Sequence, residues 1–246
     1  MADASSDDVL ERDDVNRVVY RIMKPDDAAS TLASVAQAFH EGEPLTAANG
    51  STLKDMRAFC QMYIPRMAEE GNTVIAVDKD TGDILGAFLN EDFCNPDPPG
   101  FEAFIKSADG DWVPTMGMVE QLETELIKLY SIPHEAAARA PGRWFHLWML
   151  GVVPVARGRR VGVKLAENSV AWAQKRGFAI AFAETTGAVS TSIMGKYAGA
   201  KAAHFLDYSA FRGEVRCIQG YLAHKKYPTP PLEPDIRTIP RVLWWS

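Results

Sequence analysis

The chain has 246 residues, 47% of them hydrophobic and 24% charged, which is enough apolar mass for a sizeable core in one large domain or two small ones. Its formal net charge of -6 argues against a nucleic-acid partner, because phosphate binding is largely a Lys/Arg effect. No apolar run approaches the ~20 residues that span a bilayer, and residues 1–14 lack the basic-then-apolar pattern of a secretory signal, so no membrane partner and a cytoplasmic location are expected.

In chain order, residues 1–16 are acidic and poor in bulky apolar side chains, which predicts a disordered arm. A β-branched stretch at 18–23 predicts a strand. Pro25, Asp26 and Asp27 then suit the first turn of a helix that ends near 40–44. A second helix is expected over 53–70, with Met56, Phe59, Cys60, Tyr63 and Met67 on one face. Two strands at 73–78 and 84–90 flank a hairpin turn. Residues 91–142 open on a Pro-rich loop, carry a helix around 119–130, and are too short for a core of their own. They read as an insertion or lid.

A buried strand at 144–152 leads through a Gly/Arg loop into a helix at 163–176. A strand at 178–183, a helix at 190–198 and a strand at 202–209 follow. This alternation indicates an α/β layer arrangement with one domain over 17–226. Residues 227–246 are Pro-rich yet end on Leu243-Trp244-Trp245, so this tail is expected to dock, on the chain's own body or on a second subunit. Cys60, Cys94 and Cys217 have neither CxxC nor metal-ligand spacing and read as reduced thiols; no metal is expected.

The densest signal is Leu150-Gly151-Val152-Val153-Pro154-Val155-Ala156-Arg157-Gly158-Arg159-Arg160-Val161-Gly162. Pro154 cannot donate to a ladder, so pairing is expected to break or bulge there. A Gly-containing loop that enters a helix directly aims unpaired N–H groups and the helix dipole at one point, which makes an anion site. The mononucleotide pattern GxxxxGK[ST] is absent, and the glycine spacing does not fit GxGxxG.

The segment resembles motif A of the GNAT acyltransferases: a strand ending VxPxxR, then [QR]-x-x-G-x-[GA]. Arg157 and Gly162 match the first and last loop positions, and Arg160 stands where the family has glycine. The order of elements from about residue 20 to 211 follows the same family. Glu43-Pro44-Leu45, the helical insertion and the Ser-rich start of the last helix are similar to the arylalkylamine N-acetyltransferase-like branch.

The resemblance implies a three-layer α/β fold, with a mixed central sheet splayed at the acyl-CoA site, helices on both faces, and a helical insertion before the motif A strand. It implies acetyl-CoA as co-substrate and a small-molecule amine as acceptor. The main chain of Leu150, Gly151 and Val152 would take the pantetheine arm. The loop and helix start from Arg157 through Gly158, Arg159, Arg160, Val161, Gly162 and Val163 would take the pyrophosphate.

The implied chemistry is attack of a neutral amine on the thioester. An alkylamine has a pKa near ~10.4, so a proton must leave first. Glu43 is the candidate base, with a solvated helix-end residue as the plain alternative. His146, on the motif A strand, is either a water relay or a packed core histidine. The leaving thiolate needs a donor. Tyr197 falls at the wrong offset from Gly199, and Ser190 and Ser192 are the alternatives, unless they only cap their helix. A non-catalytic acyl-CoA-binding sensor or scaffold of the same fold is the second reading, an unrelated α/β binding domain the third. A homodimer is left open.

Overall fold

A computed structural model describes residues 8–129, 140–205 and 241–245. Its sheet has the strand order β1-β2-β3-β4-β5-β6-β8-β7. The strands are β1 (Val9–Asp13), β2 (Val18–Ile22), β3 (Val74–Asp78), β4 (Ile84–Asp92), β5 (Trp144–Val152), β6 (Ile180–Thr185), β7 (Lys201–Phe205) and β8 (Arg241–Trp245). All neighbours pair antiparallel except β5 and β6, which are parallel.

One face of the sheet carries α1 (Ala28–Gly42) and α3 (Leu53–Glu70), joined by the short α2 (Pro44–Ala48). Val35, Met56, Phe59 and Ile64 pack there against Ile75, Ala87 and Met149. The opposite face carries α6 (Val161–Lys175), whose Val161, Leu165 and Ala166 meet Tyr20, Val74, Phe145 and Leu147. Apolar stripes at helical spacing thus cover both faces of the sheet. The insertion supplies α4 (Phe101–Ser107) and α5 (Trp112–Leu129), and α7 (Ala188–Ser192) runs into a π-helical turn over Ile193–Tyr197.

Two expectations need correction, and one needs a closer description. The arm predicted over 1–16 is not wholly unstructured, since Val9–Asp13 form β1. Leu10 packs on the core, and Glu11 takes the Lys164 Nζ at 2.9 Å and the Asn168 Nδ2 at 2.8 Å. Pairing does break at Pro154, and the bulge lies upstream of it. The β4–β5 register slips between Leu89↔Met149 and Asn90↔Leu147, which leaves Trp148 as the extra residue. Pairing continues to Val153, whose N–H donates to the Leu85 carbonyl at 3.0 Å, and Pro154 opens a short 3₁₀ turn. Finally, β4 extends to Asp92, so part of the insertion belongs to the sheet.

The C-terminal segment docks as β8, between β6 and β7 of its own sheet. The rest of the tail, Cys217, residues 130–139 and the end of the predicted strand at 202–209 lie outside the described residues. Cys60 and Cys94 are free thiols.

Candidate active site

β5 and β6 pair only over Trp144↔Ile180, Phe145↔Ala181 and His146↔Phe182. Beyond that point the two strands no longer pair with each other, so the sheet opens into a V. In an antiparallel ladder the N–H and C=O of one residue point to the same neighbour. Val153 points to β4, so Gly151 does too, and Leu150 and Val152 turn their main chain toward the open side. The backbone approach to β4 is close: a Cβ on Gly86 would lie 2.6 Å from the Gly151 carbonyl oxygen.

At the mouth of the V, Arg157–Arg160 form the turn into α6. Gly158 (φ 80) and Arg160 (φ 60) both have left-handed backbones, and no side chain caps α6. A non-glycine residue in that region stores roughly 1–3 kcal/mol of strain. The first-turn N–H groups of α6 therefore lack a side-chain acceptor at the place where the sequence predicts an anion. Not every arginine adds a free charge. Arg157 donates from Nε to the Val152 carbonyl at 3.2 Å, Arg159 donates to the Asn16 carbonyl, and the Arg160 guanidinium lies 5.1 Å from the centre of the Tyr197 ring.

A cavity of about 470 Å³ fills the V. Gly151, Val152, Arg157, Gly162, Glu43, Thr186 and Ser190 line it. Phe59, Trp112 and Trp148 form an aromatic wall, with the Phe59 centroid 4.5 Å from Trp112 and 5.2 Å from Trp148.

Glu43 sits where α1 ends and α2 begins. Its N–H donates to the Phe39 carbonyl at 3.0 Å, and Pro44 opens α2 behind it. Its carboxylate accepts from Leu45 N–H at 2.9 Å, from Thr46 N–H, and from the Thr186 hydroxyl at 2.6 Å. Helix cap and cavity residue are the same side chain here.

No family model and no curated protein matches this sequence. Solved structures do match its fold. The C-terminal condensation domain of Ebony, in complex with beta-alanyl-dopamine, superposes with a TM-score of 0.72 at 14% identity, covering 93% of this chain and 98% of that one. Arylalkylamine N-acetyltransferase 2 from Aedes aegypti gives 0.67 at 17% identity over 93% and 98%. The polyamine N-acetyltransferase of Drosophila melanogaster gives 0.64 at 18% over 93% and 99%.

The chain has the GNAT fold. The likeness to these structures is one of fold.

Within this GNAT cleft the remaining candidates separate. Ser190 lines the cavity and donates to the Gly187 carbonyl at 3.0 Å. Ser192 is exposed and does not line it. Tyr197 is exposed on the π-helical turn. His146 does not line the cavity: Glu184 stands between, and the two meet where β5 and β6 stop pairing, His146 Nε2 to Glu184 Oε2 at 2.8 Å.

On its other side His146 Nδ1 lies 3.4 Å from Glu91, and Glu91 takes the Arg66 guanidinium at 2.6 Å. Burial alone would push the His146 pKa down. The charge and hydrogen bond of Glu184, with Glu91 adding, outweigh that and raise it to about 10. Glu184 Oε1 is buried and has no hydrogen-bond partner.

Sequence reasoning missed Glu184, Glu91, Thr186 and Trp148. For Glu184 a signal was present, an acid inside the apolar strand Ile180–Thr185. The described residues also bring Glu123 of α5 to His146 and Glu184, with one ligand atom from each within 4.8 Å of the others. No helix among the described residues is long and apolar enough to cross a membrane.

Proposed function

We propose that the chain transfers an acetyl group from acetyl-CoA to a primary amine by direct attack of the neutral amine on the thioester. One observation carries the reading: the edge of β5 at Leu150 and Val152, which no strand pairs although Arg157 takes the Val152 carbonyl, runs toward the uncapped start of α6, in the V between β5 and β6. That geometry suits a pantetheine arm hydrogen-bonded along a strand edge, with its pyrophosphate on a helix N-terminus. Neighbours of the same fold named as amine N-acetyltransferases support acyl transfer to an amine in general.

In this reading Glu43 removes the ammonium proton, directly or through water, and Thr186 holds the carboxylate oriented. Main-chain donors at Leu150–Val152 steady the developing oxyanion, the carbon–sulfur bond breaks, and the departing thiolate takes a proton from Ser190, a hydroxyl lining the cavity; that proton is replaced by the one the attacking nitrogen gives up. The aromatic wall of Phe59, Trp112 and Trp148 takes the body of the acceptor.

The test is a screen with acetyl-CoA and thiol release as readout, over arylalkylamines, agmatine and polyamines, the acceptors for which the neighbours are named. Turnover with one class supports the proposal. CoA binding without turnover of any amine replaces it with the sensor reading, and absence of CoA binding removes both.

A further inference from the structure

Behind the cavity lies a group of side chains that the transfer chemistry does not use. His146 of β5, Glu184 of β6 and Glu123 of α5 each offer one ligand atom, all within 4.8 Å of one another. The side chains of His146 and Glu184 are each 4% exposed. His146 Nε2 faces Glu184, a residue of the cavity lining, and Glu184 Oε1 has no partner although it is buried. An unanswered carboxylate oxygen in that setting costs free energy unless something positive meets it.

The surroundings are organised as well. Nδ1 of His146 is turned to Glu91 at 3.4 Å, and Arg66 fixes Glu91 from behind at 2.6 Å. An imidazole with one nitrogen steered by Glu91 and the other on Glu184, with the Glu123 carboxylate close by, is an arrangement by which proteins orient a metal ligand.

We propose that His146 Nε2, Glu184 and Glu123 form a binding site for a divalent transition-metal ion of the zinc type, with Glu91 and Arg66 orienting the imidazole. Donors at about 2.1 Å from one ion stand about 3.4 Å apart in a tetrahedron, so the group closes on an ion with a small movement. One imidazole with two carboxylates suits zinc, cobalt or manganese better than an all-oxygen cation. The ion replaces the Nε2 proton, which leaves to solvent, and the fourth position opens toward the cavity where Glu184 lines its wall. It ties α5, β5 and β6 together at the vertex of the V. This site stands apart from the transfer reaction and does not depend on it.

The experiment uses the tag-free full chain, stripped with a chelator and reloaded with zinc or cobalt(II) salts. Retention of one equivalent through gel filtration is expected, with visible d–d absorption for cobalt and a higher melting temperature for the loaded protein. Glu184→Gln and Glu123→Gln lose that retention and the melting shift, and Glu91→Gln weakens both at least tenfold. Substoichiometric retention in the wild type, or retention that both glutamine variants leave intact, overturns the site. If amines bind in a Glu184-dependent way while metal does not, the cluster receives an organic ammonium instead, which also overturns it.

Discussion

His146, on the last paired rung of β5 and β6, meets Glu184 at 2.8 Å two residues beyond its strand partner Phe182, so one side-chain contact marks where the two strands part and the cleft begins. With chelator present, Glu184→Leu leaves the His146 Nε2 buried without an acceptor and is expected to lower stability by about 1–3 kcal/mol. The double variant His146→Leu/Glu184→Leu removes both orphans and should cost less than the sum of the two single changes. Urea denaturation of the four proteins measures this, and strictly additive costs would show that the pair is not coupled.

Glu43→Gln is expected to lower kcat/KM by ~10²–10⁴ at neutral pH. The loss should shrink as pH rises toward the acceptor's own pKa near ~10.4, where more amine arrives neutral. Leu45 N–H and Thr46 N–H use different carboxylate oxygens and glutamine keeps only one acceptor, so one of the two cap bonds is lost and the melting temperature should fall by a few degrees while the fold survives. Thr186→Val removes the hydroxyl donor and should cost a smaller factor, roughly tenfold, or about 1.4 kcal/mol. Wild-type rates in Glu43→Gln would confine this residue to its helix cap.

Gly162→Glu puts a carboxylate at the proposed CoA pyrophosphate site. A Cβ at Gly162 would meet Ile193 Cδ1 at 3.4 Å and Val152 Cγ2 at 3.5 Å, which is ordinary contact, so the fold should survive. Calorimetry with CoA should show binding abolished in Gly162→Glu and largely kept in Gly162→Ala. Unchanged affinity in the glutamate variant would remove the phosphate site from this loop.

Much of this architecture was legible from residues 144–175, because an apolar strand, a Gly/Arg turn and an amphipathic helix follow one another without interruption. The bulge at Trp148 was not. In WFHLWMLGV every position is apolar or histidine, so no alternation exists whose inversion could reveal an extra residue. Charge masked β1: in VLERD only Leu10 and Val9 carry the apolar signal, and Glu11 is held by partners on α6, over 150 positions away. Glu43 was readable through its neighbours Pro44 and Leu45. The His146–Glu184–Glu123 group was not, since three different elements bring it together.

Leu243→Pro removes a backbone donor from a strand flanked on both sides, where Leu243 pairs with Ala183 on β6 and Ala202 on β7. The expected cost is ~3 kcal/mol or more, with a rise in aggregation as two sheet edges open. Thermal melting and light scattering measure the two effects. A variant that matches wild type in both would show that β8 is dispensable to the sheet.

The position of β8 also fixes an order in time. β6, one wall of the cleft, leaves the ribosome about sixty residues before the strand that must lie against its outer edge. Everything from β1 to β6 can collapse during synthesis, but the gap between β6 and β7 closes only once residue 245 has been made. Until then the growing chain carries two open strand edges beside its cleft, and a translation product that stops short of Arg241 keeps them permanently.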